Sequence, residues 1–278
     1  MSSKQSVSDT AYYCCGARFQ DAKSNDPVCG DTYAQVFMDD YGLEIFSKFD
    51  NKKLKNGKIA NATRHRIIDD LIKNIVEKNP ETVFILIGSG FDTRAYRIKG
   101  GKWIEIDDPE LISLKNKQLS KSQCKNVIQR IPYDYKTESL VEKFQSINKE
   151  DPVTFVIEGV LFYLEENEIN TLLNQLTANF PNHKLICDLQ QYEFFKKYNK
   201  ILSKIMDTLG SPFKIFSNEP EKNFIDCGYK ELEKISILEK VIKLGKIKIP
   251  KILLKTIFRK TIHGYSVFVF DYRGNNKK

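Results

Sequence analysis

Two glycines one residue apart, Gly88 and Gly90, follow an unbroken apolar run, Val83 to Ile87, and a second apolar run beginning at Trp103 closes on the acid Asp107. Glycine has no Cβ, so a G-x-G turn lets the backbone bend sharply and come close to a ligand. A carboxylate at the end of the following strand can accept two ribose hydroxyl hydrogen bonds, which are charge-assisted and so among the stronger kinds. Turn and acid together describe a seat for a nucleotide cofactor, either a dinucleotide or S-adenosylmethionine. The dinucleotide fingerprint G-x-G-x-x-G wants a third glycine where this chain has Thr93, which weakens the pyrophosphate reading. S-adenosylmethionine carries no phosphate and offers a ribose diol, an adenine edge and an amino-acid end of both charges.

The elements that hold these residues follow from apolar periodicity. The continuous run Val83 to Ile87 suits a strand buried on both faces of a parallel sheet. Later strands are expected in KNVIQRIP (125–132), VTFVI (153–157), HKLICD (183–188), the segment before Ser236, and HGYSVFVFDY (263–272). Helical spacing in TRHRIIDDLIKNIVEK (63–78) and EENEINTLLNQLTANF (165–180) places helices between strands. Arg64 and Arg66 then fall at a helix start, where a cation gains nothing from the helix dipole. The lysine- and glycine-bearing stretch Asn51 to Lys58 reads as a loop, residues 1–12 as frayed, and Asp31 or Thr32 as a candidate N-cap. Alternating strands and helices predict a doubly wound, mostly parallel, seven-stranded Rossmann-like sheet with an added helical cover over the ligand face. One domain over 1–278 is expected, with N-terminal helices at 15–80, a cofactor-binding core at 81–188, a helical cover and basic insertion at 189–260, and a C-terminal strand at 261–273.

Six cysteines lack a C-x-x-C pair or metal-like spacing to His65, His183 or His263, so free thiols and no metal are expected. The three histidines are bases by chemistry only and read as structural; no catalytic base is assigned. With 41% hydrophobic and 29% charged residues the chain is an ordinary folded protein, and no apolar run reaches the ~20 residues of a membrane span. A cytoplasmic location is the plain expectation. The net charge of +8 would attract nucleic acid, an anionic membrane or an acidic protein without choosing among them. Much of it lies in EKVIKLGKIKIPKILLKTIFRK (239–260), which alternates lysine with aliphatics as an amphipathic lid helix broken at Pro250 would. QQYEFFKKYNKILSKIMDTLG (190–210) reads as one helix.

LIGSGFDTRAYR, WIEIDDP with Lys115 downstream, and FVIEGVLFYL recur in order at sensible spacings, and TRHRIID and FPNHKLICDL flank them. Over roughly residues 15–190 the chain resembles the leucine carboxyl methyltransferase family of class I S-adenosylmethionine methyltransferases, nearest its bacterial polyketide O-methyltransferase-like branch. The resemblance implies S-adenosylmethionine as cofactor and assigns roles to single residues. Arg64 matches the arginine holding the cofactor carboxylate. Gly88, with its neighbour Gly90, matches the glycine turn under the methionine part, and Asp107 the ribose acid. Asp134 matches the aspartate near adenine, with Tyr135 where leucine is common. Glu158 matches the glutamate facing the cofactor amino group, and Arg18 an early basic residue close to the cofactor. Asp92, Thr93, Arg94 and Arg97 are family markers that read as building the turn and its salt links.

Methyl transfer is an in-line displacement, in which alignment and exclusion of water do most of the work. The expected activity is O-methylation of a carboxyl or hydroxyl group on a small or carrier-bound molecule. A protein C-terminus or a tRNA carboxylate is the alternative acceptor, and a non-catalytic cofactor-binding protein the alternative class. Nucleic acid is not the favoured partner, and the oligomeric state is open.

Overall fold

A computed structural model describes residues 8–256 and 261–274. Seven strands form one sheet in the order β3-β2-β1-β4-β5-β7-β6. They are β1 (Val83–Ile87), β2 (Lys102–Asp107), β3 (Val127–Pro132), β4 (Val153–Ile157), β5 (Asn182–Gln190), β6 (Lys230–Ser236) and β7 (Tyr265–Arg273). Pairs among β1 to β5 are parallel, while β7 runs antiparallel to both β5 and β6. The fold is the expected mostly parallel seven-stranded α/β sheet.

All five residues of β1 are buried, and their period of two divides them between two cores. Val83, Ile85 and Ile87 join a core completed by α6 (Leu140–Lys143), α7 (Glu166–Asn179) and α10 (Lys222–Asp226). Phe84 and Leu86 face the opposite layer, where Ile67, Ile68, Ile72 and Val76 form the apolar face of α3 (Lys55–Lys78). Phe84 stacks on Trp103 of β2 at 4.9 Å between ring centres. Each such side chain contributes about 1.5–3 kcal/mol when fully buried, so this double-faced packing fixes the strand that carries the glycine turn. A third core joins α1 (Ser8–Ala22) and α2 (Asp40–Ser47) to α5 (Pro109–Gln118) and α9 (Lys200–Thr208) at the carboxyl end of the sheet.

Between β2, β3 and α5, the fully buried Glu105 receives Lys115 at 2.9 Å and Arg130 at 2.8 Å. Lys115 is therefore a sheet-to-helix tie directly below Asp107. Asp108 caps α5 by accepting from the Glu110 and Leu111 N–H groups, with Pro109 at the tolerated first position.

Four local expectations are corrected. Asn51 to Lys58 is not a loop: a 3-10 turn at Lys52–Leu54 leads straight into α3, which begins at Lys55. Arg64 and Arg66 are consequently mid-helix residues. Residues 8–12 are helical in α1 with Tyr12 buried, and only residues 1–7 of the expected frayed segment lie outside the described residues. Asp31 occupies an N-cap position before the 3-10 turn Thr32–Phe37 but makes no capping bond, because its carboxylate receives Arg18 and Thr93. The 190–210 helix is two, α8 (Tyr192–Tyr198) and α9, broken at Asn199, whose side-chain amide donates to Gln190.

The basic insertion leaves β6 at the sheet's carboxyl side, since two successive antiparallel steps make β6 parallel to β5. It forms α11 (Ile237–Lys243) and α12 (Lys251–Lys255). Lys240 is spent on Asp70 at 3.0 Å and Lys246 on Asp26 at 2.5 Å. Arg259 and Lys260 lie outside the described residues. Among the described residues no helix is long and apolar enough to cross a membrane.

Candidate functional site

A cavity of about 680 Å³ opens at the carboxyl ends of β1, β2 and β4. That is within the ~300–1,000 Å³ common for small-ligand sites. Gly88 and Gly90 line it with positive φ values of 66° and 50°, the left-handed region that side chains resist. A Cβ on Gly88 would lie 2.4 Å from Val160 Cγ2, so the turn is closed to larger residues by packing as well as by backbone conformation. The Ser89 hydroxyl between them is buried without a protein partner, an orphan donor on the cavity wall.

Asp107 ends β2 on the same wall. Its two oxygens accept from Gly90 N–H at 2.5 Å and Asp108 N–H at 2.7 Å, which ties the acid to the glycine turn. Burial pushes its carboxyl above the usual aspartate range, opposed by those two amides. Arg64, Glu158 and Arg18 line the cavity as well, and all three are embedded in charge pairs. Arg64 Nε donates to Glu158 Oε1 at 2.9 Å and Nη1 to Asp188 Oδ2 at 2.9 Å. Arg94 reaches the other Glu158 oxygen at 2.7 Å while also binding Asp69 and Asp92. Arg97 bridges Asp69 and Asp31, and Arg18 binds Asp31 at 2.9 Å and the Phe91 carbonyl at 2.6 Å. Asp92, Arg94 and Arg97 thus build the turn and its salt links, as their sequence positions suggest.

Seven of the eight sequence-derived cofactor residues, Arg18, Arg64, Gly88, Gly90, Asp107, Tyr135 and Glu158, meet around this one cavity. Asp134 is not brought to the wall. Its carboxylate is engaged in its own turn by the Lys136 N–H and the Thr137 hydroxyl, each at 2.9 Å, while Tyr133 and Tyr135 on either side line the cavity. The insertion expected as a lid contributes no described residue to the lining; the cover that reaches it is Gly210, Ser211, Pro212 and Lys214, with Thr10, Ala11 and Cys14 of α1. Sequence reasoning missed Asp188 and Tyr265, which hold Arg64 from behind, and gave no role to Ser89.

No histidine lines the cavity among the described residues. His65 is fully buried beneath it, where burial and the Arg94 charge lower its affinity for a proton and keep it neutral. Its Nδ1 lies 2.7 Å from Arg94 Nη2 and 3.3 Å from Glu158 Oε2, and its Nε2 2.7 Å from Arg97 Nη2, so each ring nitrogen faces a guanidinium donor. His65, Asp92 and Glu158 cluster closely enough to hold a cation, but the Arg94 guanidinium contacts all three. His183 is tied between the Phe180 carbonyl and the Tyr229 hydroxyl, and burial lowers its pKa to about 4.

The charge network predicts how stability varies with pH. Burial alone would raise the Glu158 and Asp31 carboxyls, but Arg94 and Arg64 hold Glu158, and Arg18 and Arg97 hold Asp31, below the usual range. For carboxyls so lowered, stabilisation is present above their unfolded values of roughly 4 and is lost as pH falls through the folded values. Urea midpoints measured from pH 7 to pH 3 are expected to drop below about pH 4. Asp107, shifted the other way, contributes the opposite sign. A flat profile would contradict the network.

Solved structures share this fold. A protein of the DUF574 family from Streptomyces avermitilis superposes with a TM-score of 0.56 at 12% identity, covering 93% of this chain and 97% of that one. A magnesium protoporphyrin IX methyltransferase from Synechocystis PCC 6803 gives 0.50 at 10% identity, covering 87% and 98%. The fold is Rossmann-like, of the kind found in methyltransferases. The chain belongs to the leucine carboxyl methyltransferase family, whose profile matches residues 11–177. An S-adenosyl-L-methionine-dependent methyltransferase of Gibberella zeae is 25% identical over 244 residues, covering 82% of each chain. A Mycolicibacterium gilvum protein named for the same activity is 27% identical over 190 residues, and there the match spans 62% of this chain and less than two thirds, 63%, of the relative.

Proposed function

We propose that this S-adenosylmethionine-dependent methyltransferase transfers its methyl group to oxygen, on a carboxyl or hydroxyl of a small or carrier-bound molecule. The observation that carries the reading is the joining, on one cavity wall, of the glycine turn, the strand-end acid Asp107 and the Arg64–Glu158 pair. The orphan Ser89 hydroxyl and the left-handed glycine turn fit a cofactor lying close against the backbone.

The cofactor, when bound, supplies an electrophilic methyl group on a sulfonium. Asp107 accepts the ribose hydroxyls, and Gly88 and Gly90 let the backbone run under the methionine part. Arg64 directs its remaining N–H groups at the carboxylate and Glu158 complements the amino group. Tyr133 and Tyr135 border the adenine, and Asp134 acts by shaping the turn that presents them. Arg18 acts from below by fixing Phe91 after the turn.

The acceptor space lies over Tyr163, Ser211, Pro212 and Lys214. Lys214 is a cation on this wall, shared between Glu165 at 3.4 Å and Glu168 at 3.5 Å, and an acceptor carboxylate would compete with those acids for it. A carboxylate is ionised at neutral pH and needs no general base. A phenol, with a pKa near ~10, would want one. With Lys240 and Lys246 already paired, the basic insertion supports nucleic-acid binding less than its composition suggests.

Calorimetry with S-adenosylhomocysteine and with NADH tests the cofactor assignment: binding of NADH alone would overturn it. Incubation with methyl-labelled cofactor and a panel of carboxylic acids, phenols and amines tests the acceptor atom. Labelled products released as methanol by mild alkali are methyl esters, whereas transfer confined to the amines would overturn the oxygen reading.

A further inference from the structure

We infer that Asp188 near the end of β5 and Tyr265 at the start of β7 form a positioning clamp that aims Arg64 at the amino-acid end of the cofactor. This deepens the cofactor site proposed above and rests on it.

The Arg64 guanidinium has five N–H groups in a fixed plane. Nε–H is taken by Glu158 Oε1 at 2.9 Å. Both hydrogens of Nη1 have acceptors, Asp188 Oδ2 at 2.9 Å and the Tyr265 hydroxyl at 2.8 Å. The same hydroxyl donates to Asp188 Oδ2 at 2.8 Å, so arginine, tyrosine and aspartate close a ring in which every proton is used. Asp188 Oδ1 accepts Gly159 N–H at 2.7 Å, which fastens the residue after Glu158 to the same carboxylate. The remaining two N–H groups sit on Nη2, against the thiol of Cys14 at 3.6 Å, a weak acceptor that also lines the cavity.

A free arginine side chain gives up rotamer entropy when it is held in one geometry. Here three strands' ends and one helix fix it in one orientation, with one edge left for a ligand. Glu158 alone would leave rotation about its single hydrogen bond; Asp188 and Tyr265 remove it. Burial keeps the Tyr265 hydroxyl protonated, as its donation to Asp188 requires.

A clamp acting through Arg64 makes a selective prediction. S-adenosylhomocysteine carries the amino-acid end, whereas 5′-methylthioadenosine has the same nucleoside without it. In Tyr265→Phe, affinity for S-adenosylhomocysteine is expected to fall about tenfold (~1.4 kcal/mol) while that for methylthioadenosine, titrated by competition, stays within twofold. Asp188→Asn is expected to show the same selectivity and serves if the tyrosine variant does not fold. Equal losses for both ligands, or no loss for either, would overturn the clamp. Failure of the unsubstituted protein to bind either nucleoside would instead overturn the cofactor assignment itself.

Discussion

Replacing Glu158 by alanine is expected to weaken S-adenosylhomocysteine binding at least tenfold and to destabilise the protein without ligand by about 3 kcal/mol. Glu158 is the meeting point of two buried guanidiniums, with Arg64 at 2.9 Å on one oxygen and Arg94 at 2.7 Å on the other. Removing one partner of a buried ion pair typically costs about 3–5 kcal/mol, because the charge left behind has neither water nor counter-charge. The lower end applies here, since Arg64 keeps Asp188 and Arg94 keeps Asp69 and Asp92. Calorimetry reads the first effect and urea unfolding of the ligand-free protein the second. An unfolding free energy equal to that of the parent would mean that the network does not depend on this acid.

Asp107→Ala should act more narrowly. The Gly90 and Asp108 amides lose their acceptor, and S-adenosylhomocysteine affinity is expected to fall at least tenfold, ~1.4 kcal/mol. Asparagine is no conservative replacement, because each carboxylate oxygen faces a backbone donor and the amide nitrogen would oppose one of them. The parent should also bind less tightly as pH falls through the raised Asp107 value, where a protonated oxygen no longer accepts from both amide and ribose. That acid dependence should disappear in Asp107→Asn. Affinities unchanged in both variants would put the ribose elsewhere.

The parts of this architecture legible from sequence were those with local signals. Buried strands such as Val83–Ile87 and Val153–Ile157 are continuous apolar runs, and α7 opens with a reciprocal capping box between Glu165 and Glu168. The start of α3 was hidden because Asn56 and Gly57 are poor helix formers. Packing against α1 overrides that, with Tyr13 covering the space at Gly57. The wall residues Gly88, Asp107 and Glu158 announce themselves by standing at strand ends. Asp188 closes the run HKLICD in the same way, two residues before β5 ends, and that position was the available clue to its role. Tyr265 offered none: it is 201 residues from Arg64 in the chain, and only sheet order brings them together.

That sheet order also constrains how the protein is made. β7 follows β6 in the chain yet inserts between it and β5. While the polypeptide is still being synthesised, the first five strands can pair as they emerge, but the outer edge of β5 stays open until residues 265–273 arrive. Such non-local pairing slows folding and leaves a strand edge able to capture another chain. Because the same late strand delivers the Tyr265 hydroxyl to Arg64, a nascent chain stalled before β7 would hold most of its cofactor wall with the arginine incompletely restrained. Ligand competence and edge protection are therefore acquired in a single final step of assembly.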